Sequence, residues 1–397
     1  MNDIDKKIDL EIHRQGGDEA MTGPVDATAG WSDEQYGTDE TAPIRAVPIG
    51  VERARIEYCP KPVSQLGGGE QVDWQWEGYI ARGYMTLLVG IWKGGKTTLL
   101  AHLFKAMEDG GELAGDVRPG KVLVVTEEIE GHWKRRCGDL GIGDHVHIAS
   151  RPFMGRPSQS DWEELIDLMA EDVEHVGYDL VVIDTWQAAN PCRDENSSAD
   201  TVAALAPLAR LSGSGAAILL VHHPRKGDAG QGQASRGSGA LTGWVDTIVE
   251  LRRYNPGDNS DRRRVLQAYG RFDETPDEVV IELTDDGYIR VGSSGEAKQS
   301  DRFEVIAEVL DPEWRTREDI RDQWPVGTVP KPGTSTLRTD LNAGFEAGKW
   351  ERQGEGRKGD PFTFRFVSRT PTLLGGQNES SLPTDDEEPD DGAREDC

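Results

Sequence analysis

A glycine-rich run that ends in Lys and Thr occupies residues 90–97, between an apolar strand pattern and an apolar helix pattern. Glycines allow backbone N–H groups to face an anion, and this spacing is typical of a phosphate-binding loop. A purely structural βα turn would need neither the Lys nor the Thr. We therefore expect Lys96 to reach the β- and γ-phosphates of ATP, and the Thr97 hydroxyl to ligate Mg²⁺. The residues predicted to surround the nucleotide are Gly90, Gly94, Gly95, Lys96, Thr97 and Thr98.

Carboxylates follow two other apolar strand patterns. Asp184 ends the run 181–184 and could hold the Mg²⁺ shell, although a strand-end aspartate can also be a turn or cap residue. Thr185 comes next rather than a glutamate, so a base that activates water must lie elsewhere. Glu127 and Glu128 end the strand pattern at 122–126, and we favour Glu128 as the catalytic base. The alternative is a solvated acidic turn.

Histidines and basic residues follow a further strand pattern. The pair at 222–223 could sense the γ-phosphate or simply form a turn, and the sequence offers no third ligand for a metal site. Arg225 and Lys226 could contact nucleic-acid phosphates or form a solvated surface. Arg236 lies among Gly and Ser, where it could act as an arginine finger, although a soluble surface is the simpler interpretation of this residue alone.

These motifs, in this order, resemble the RepA-like hexameric replicative helicases of plasmids and phages, and more broadly the RecA-like ATPases. The resemblance covers about residues 74–290 and is most specific over 221–246, where His-His, a basic Gly-rich stretch and Ala-Ser-Arg-Gly-Ser follow one another. It implies that Glu128 is the catalytic glutamate, Asp184 the metal aspartate, His223 the γ-phosphate sensor and Arg236 an arginine finger across a subunit interface. The active site would then be complete only in a ring.

Composition constrains the rest of the chain, which has 397 residues and a formal net charge of −28. Residues 1–42 hold eleven acidic and three basic side chains, and residues 371–397 hold nine and one. We predict disordered acidic segments at 1–45 and 368–397. Such segments do not exclude a local basic DNA site elsewhere on the chain. Four scattered cysteines predict neither a disulfide framework nor a zinc site. Without a signal-peptide pattern or a membrane-length apolar run, we expect a cytoplasmic protein without membrane contact.

Alternating strand and helix patterns predict an α/β fold: a RecA-like P-loop domain over 70–292 with a mostly parallel sheet. The predicted strands are 84–90, 121–125, 178–183 and 216–221, followed by short strands within 245–291. Predicted helices include 161–169, with Ser160 as N-cap, and 198–212. Residues 292–300 read as a polar linker.

Three helix patterns, at 303–310, 316–323 and 334–347, precede two strand patterns, at 349–353 and 361–367. This order predicts a winged helix-turn-helix domain over 301–367. Its eleven basic and thirteen acidic residues give it a small negative charge, whereas a DNA-reading domain is normally basic on one face. DNA contact and protein docking both remain open for this domain.

The leading hypothesis is an ATP- and Mg²⁺-dependent motor on single-stranded DNA that forms a homo-oligomeric ring and works with replication-initiation or loading partners. A second hypothesis is an ATP-gated DNA-binding or adaptor protein in which ATP is a switch and the winged helix recognises the target. A weaker third hypothesis is a small-molecule kinase built on the same loop.

Overall fold

The computed structural model describes residues 60–65, 71–194, 197–223, 239–310, 313–327 and 329–366. The chain divides after residue 68, and the described part of the first unit contains one 3-10 turn, Val63–Gln65. Among the described residues, all the α-helices and strands of the fold belong to the second unit, residues 69–397. The predicted acidic segments at 1–45 and 368–397 lie outside the described residues.

A nine-stranded sheet forms the centre of the fold, in the order β13-β12-β11-β10-β3-β9-β8-β6-β7. Six neighbouring strands pair in parallel, in the spatial order β10, β3, β9, β8, β6 and β7. Beyond β10, the strands β11, β12 and β13 extend the sheet as an antiparallel meander. The predicted mostly parallel α/β sheet is therefore confirmed. The strands are β3 (Met85–Gly90), β6 (Val122–Thr126), β7 (Val146–Ser150), β8 (Leu180–Asp184), β9 (Ala217–His222), β10 (Thr247–Arg253), β11 (Arg263–Gly270), β12 (Glu278–Leu283) and β13 (Tyr288–Gly292).

Helices cover both faces of the sheet, which explains why strands such as β3, β6 and β8 are buried at every position. On one face, α1 (Lys96–Ala106) and α2 (Glu130–Leu140) pack through Phe104 and Trp133. On the other face lie α3 (Gln159–Val176), α4 (Trp186–Ala189), α5 (Ser198–Leu205), α6 (Leu208–Gly213) and α7 (Gly239–Trp244). No helix among the described residues is long and apolar enough to cross a membrane.

Several sequence predictions were wrong in detail. The predicted helix 161–169 extends over all of α3, and its N-cap is Ser158, not Ser160, because Ser158 and Asp161 form a capping box. The predicted helix 198–212 is two helices, since Pro207 lacks the N–H that a continuous helix needs. The sequence prediction also missed β7 and a small sheet of β1 (Trp74–Trp76), β2 (Ile80–Ala81), β4 (Gly111–Glu112) and β5 (Asp116–Val117).

The C-terminal part of the chain has its own apolar core, which includes Ile306, Leu337, Trp350 and Phe364. The predicted polar linker 292–300 was wrong, because most of it belongs to a long helix whose Ala297 is buried against Val265 and Val280. The elements are α8 (Ser294–Leu310), β14 (Arg315–Thr316), α9 (Arg317–Asp322), α10 (Thr334–Glu346), β15 (Trp350–Gln353) and β16 (Thr363–Phe366). The three short strands pair in the order β14-β16-β15.

Candidate active site

The phosphate loop connects β3, at the centre of the sheet, to the first residue of α1. Gly94 donates a backbone hydrogen bond to the carbonyl of Ile91, which closes the loop. A Cβ atom at Gly90 would lie 2.9 Å from the carbonyl oxygen of Leu251, so this position excludes a side chain. Gly95, the residue before α1, has φ of 104°, a left-handed conformation that favours glycine. The loop geometry therefore depends on the glycines that the motif contains.

Lys96 is buried beneath this loop, where its ammonium donates to the carbonyls of Gly90 (2.6 Å) and Ile91 (3.1 Å). Its Nζ also lies 2.8 Å from Nδ1 of His223, the residue directly after β9. Burial lowers the pKa of Lys96 to about 8, and the negative charge of Asp184 opposes this shift. Burial, followed by the nearby Lys96 charge, lowers the pKa of His223. A neutral His223 imidazole therefore accepts from the Lys96 ammonium at neutral pH.

Asp184 ends β8 and is only 6 % exposed. It is aligned with Thr126 at the end of β6 and with Val221 near the end of β9. Burial raises its pKa to about 6, and the negative charges of Glu128 and Glu127 add to this effect. The sheet edge thus gathers three carboxylates with too little positive charge to balance them.

A Mg²⁺ ion fits this edge, because hard divalent cations prefer carboxylate and hydroxyl oxygens and would supply the missing positive charge. Asp184 and the Thr97 hydroxyl are the groups that would hold it. Thr97 follows Lys96 in the first turn of α1 and is partly exposed, whereas Thr98 is exposed. When bound, such an ion would polarise the phosphates of a nucleotide.

The two glutamates after β6 differ in their contacts. Both carboxylate oxygens of Glu128 accept from the guanidinium of Arg136 on α2, and the Nη2–Oε1 distance is 3.0 Å. That guanidinium also stacks over the ring of Trp133 at 4.9 Å. In contrast, one carboxylate oxygen of Glu127 accepts from the Thr185 hydroxyl at 2.8 Å. Glu127 therefore keeps a carboxylate oxygen free of any hydrogen bond within the described residues.

A cavity of about 320 Å³ opens beside Glu127 at the ends of β6, β7 and β8. Asp184, Thr185 and the segment 151–155 after β7 line it. Arg151 in this segment donates from Nε to the carbonyl of Glu127 at 2.8 Å. Met154, which also lines the cavity, is fully exposed. Glu127 and Asp184 therefore face the same solvent-accessible space.

Sequence reasoning missed two residues that hold this site together. Arg264 on β11 donates from Nε to the carbonyl of Gly94 at 3.1 Å, so the antiparallel part of the sheet supports the phosphate loop. No local pattern could reveal this contact, because 170 positions separate the two residues. Arg136 could have been found, because it follows Glu128 by only eight positions, on the next helix.

The structure thus brings together the loop glycines, Lys96, Asp184, Glu127, Glu128 and His223 at one edge of the sheet. The remaining predicted site residues, Arg225, Lys226 and Arg236, lie outside the described residues. Their predicted roles therefore stay predictions.

Comparison with known proteins gives a consistent result. Residues 63–229 match the family model AAA_25, which describes an AAA domain. The match includes the phosphate loop, both glutamates, Asp184 and His223. It supports a nucleotide-hydrolysing P-loop ATPase domain of the kind found in RecA-like and helicase-like proteins, which binds ATP and typically Mg²⁺. No curated protein matches the chain.

Proposed function

We propose that this ATPase domain drives a RecA-like motor on DNA: a ring-forming, RepA-like helicase or DNA-remodelling ATPase of replication or recombination. The observation that carries the proposal is the 2.8 Å contact between Lys96 of the phosphate loop and His223 after β9. Arg225 and Lys226 lie two and three positions after His223 in the sequence. A change at the γ-phosphate can therefore reach basic residues suited to contact a nucleic-acid backbone.

Lys96 and His223 supply the sensing step in this proposal. Phosphate oxygens are stronger partners for an ammonium than the backbone carbonyls that Lys96 now contacts, because the phosphate carries a negative charge and the carbonyls are neutral. ATP would draw the ammonium toward its phosphates and release Nδ1 of His223. Gln187 donates to the backbone carbonyl of His223 at 2.7 Å, so α4 would register the same displacement.

For the catalytic base, the contacts favour Glu127. The guanidinium of Arg136 occupies both carboxylate oxygens of Glu128, so neither oxygen is free to contact an attacking water. Glu127 uses one oxygen for Thr185 and faces the cavity that Asp184 also lines. We therefore propose Glu127 as the base. The sequence resemblance instead implies Glu128 as the base. Glu128 could take that role if nucleotide binding separated it from Arg136.

The ring and its finger are also part of the proposal. Arg236 would contact the nucleotide of a neighbouring subunit and stabilise the charge of the transition state. Arg236→Ala should then lower hydrolysis by about 10³-fold and leave nucleotide affinity nearly unchanged. An equal loss of nucleotide affinity would contradict a finger that acts in trans.

A second candidate is an ATP switch whose C-terminal residues 301–367 recognise the target as a winged helix-turn-helix domain. The element order α8, α9, α10 and the β15–β16 hairpin, with Arg338 exposed on α10, supports it. In this function ATP would gate binding rather than drive strand separation, and the C-terminal unit would make the DNA contacts.

Three measurements on the purified chain separate the two functions. The motor predicts ATPase stimulation by single-stranded DNA, ATP-dependent displacement of a labelled strand and a larger assembly mass with ATP. ATP-dependent DNA binding without strand displacement would favour the switch. An ATPase rate that DNA leaves unchanged, together with no DNA binding, would contradict both and favour a small-molecule kinase.

A further inference from the structure

A groove of about 380 Å³ lies between α10 and the β15–β16 hairpin, and α9 also lines it. Four arginines line it, and we call it the arginine groove: Arg317, Arg338, Arg352 and Arg357. Leu341, Phe362 and Phe364 form its apolar floor. This concentration of positive charge is unusual in a chain with a net charge of −28.

Only the edge of the Arg352 guanidinium group is available to a ligand. Its guanidinium stacks over the ring of Phe345 at 4.1 Å and over the ring of Phe362 at 4.5 Å. One amino group donates to the side-chain oxygen of Asn342 at 3.2 Å. Because aromatic rings occupy contacts on the guanidinium faces, its remaining in-plane N–H groups suit an oxyanion better than a stacked base.

Arg338 supplies a second cation that is free to bind. It is exposed on α10, one helical turn before Asn342, and both residues line the groove. Among the described residues no carboxylate pairs with Arg338 or with Arg352. The other two arginines pair with exposed glutamates close to them in sequence, Arg317 with Glu318 and Arg357 with Glu355, and Glu318 also lines the groove. Such exposed pairs contribute little and exchange readily for a better anion.

We propose that the arginine groove binds the acidic C-terminal segment 384–391 of the same chain. This segment, which lies outside the described residues, has six carboxylates in eight positions: Asp385, Asp386, Glu387, Glu388, Asp390 and Asp391. Closely spaced carboxylates match several arginines, and Leu382 with Pro383 just before them provides apolar groups for the phenylalanine floor.

Chain connectivity favours this occupant. β16, whose Phe364 lines the groove, ends at Phe366, and 18 residues separate it from Asp385. At about 3.3 Å per extended residue this linker spans up to roughly 60 Å, so the segment can reach the groove easily. Tethering of this kind gives an effective concentration on the order of millimolar, which a free ligand must exceed.

A nucleic-acid backbone is the competing ligand, but the surroundings suit it less. Residues 301–367 carry thirteen acidic and eleven basic side chains, so the surface outside the groove offers little positive charge to a long nucleic-acid backbone. A short peptide senses mainly the groove, whereas a duplex would also meet the acidic surface around it. The inference does not rest on the proposed motor, because it concerns residues outside the nucleotide site.

The test uses the full chain with its own segment neutralised by D385N, D386N, E387Q, E388Q, D390N and D391N. A fluorescent peptide of residues 382–393 is titrated, and anisotropy gives its affinity. We expect this peptide to bind the neutralised chain about tenfold more tightly than the native chain, whose own segment competes. Added to the neutralised chain, Arg338→Ala should weaken binding about tenfold and Arg352→Lys should weaken it as well.

Arg290→Ala is the matched control, because Arg290 is exposed on β13 outside the groove and its loss changes the net charge equally. Arg338 is also exposed, so its substitution tests the site even if Arg352→Lys disturbs packing. Failure of the peptide to bind, equal affinity for native and neutralised chains, or indifference to Arg338→Ala would overturn the proposal. A labelled single strand that binds through Arg338 and is not displaced by the peptide would assign the groove to nucleic acid instead.

Discussion

The nucleotide edge of the sheet and the arginine groove both gather charges, but they do so in opposite physical settings. At the sheet edge, Lys96 and Asp184 are buried, and their pKa values are displaced toward about 8 and about 6. In the groove, Arg338 is exposed. Burial makes each charge at the sheet edge strongly dependent on the others, whereas exposed arginines act more independently and are screened by salt.

A large difference is expected within the nucleotide edge itself, between two adjacent glutamates. Glu127→Gln should lower the rate of ATP hydrolysis about 10²- to 10³-fold, because it removes a base that faces the cavity. Glu128→Gln removes a partner of Arg136 and should cost about tenfold or less by loosening the loop after β6.

Steady-state hydrolysis and nucleotide affinity, measured for both variants, check this difference. Both substitutions remove one charge and keep the side-chain shape, so each is the control of the other. A larger loss in Glu128→Gln would return the catalytic role to Glu128 and imply that nucleotide binding breaks its pair with Arg136.

Buried charge should also lower stability at the nucleotide edge. The pKa of Asp184 rises from its usual 3.8 to about 6 on folding, so the native state disfavours the charged form. The cost is absent below about pH 4, where the group is protonated in both states, and complete above about pH 6. At about 1.36 kcal/mol per pKa unit, it reaches roughly 3 kcal/mol.

Asp184→Asn should therefore raise the free energy of unfolding by up to about 3 kcal/mol at pH 8, with the gain vanishing near pH 4. Denaturant titrations with EDTA and without nucleotide measure it. Asp172→Asn, at an exposed site on α3, is the control and should change little. Destabilisation by Asp184→Asn at every pH would contradict this account. It would show that nearby positive charges, such as Lys96 and Arg136, stabilise the ionised carboxylate more than burial and the two glutamates destabilise it.

The smallest expected effect tests whether the C-terminal core can lose stability without a loss at the nucleotide edge. A Cβ atom at Gly344 on α10 would lie 1.8 Å from the ring of buried Trp350. Gly344→Ala should therefore destabilise the C-terminal core by about 2 kcal/mol, a usual cost of overpacking. ATP hydrolysis without DNA should continue, because none of the nucleotide-site residues belongs to the C-terminal core.

Hydrogen exchange followed by mass spectrometry resolves this effect by region. Protection should fall in α10 and β15 and persist in β3 and β8. Gly138→Ala is the control, because a Cβ atom there meets nothing within 4 Å. Equal loss of protection in β3 would mean that the two regions unfold as one cooperative unit.

Prediction from sequence succeeded where the signal is local. The loop at 90–97, the apolar strands and the carboxylates that end them all lie in short runs, so the parallel sheet and one edge of the site could be anticipated. It failed where distant segments meet. The support of Gly94 by Arg264 and the lining of the arginine groove by α9, α10 and β15 depend on folding alone. Arg136 lies near the glutamates in sequence, but only coordinates show that it pairs with Glu128 and not with Glu127.

The most direct test of the central claim is ATP hydrolysis by the full chain with Mg²⁺, compared with Lys96→Ala and Lys93→Ala. Lys93 lies in the same loop, but it is exposed and its ammonium stacks over Trp92 at 4.3 Å. We predict Mg²⁺-dependent hydrolysis that falls at least about 10³-fold in Lys96→Ala and only a few-fold in Lys93→Ala. Hydrolysis that survives the loss of Lys96, or that both substitutions reduce equally, would contradict an active site built around Lys96.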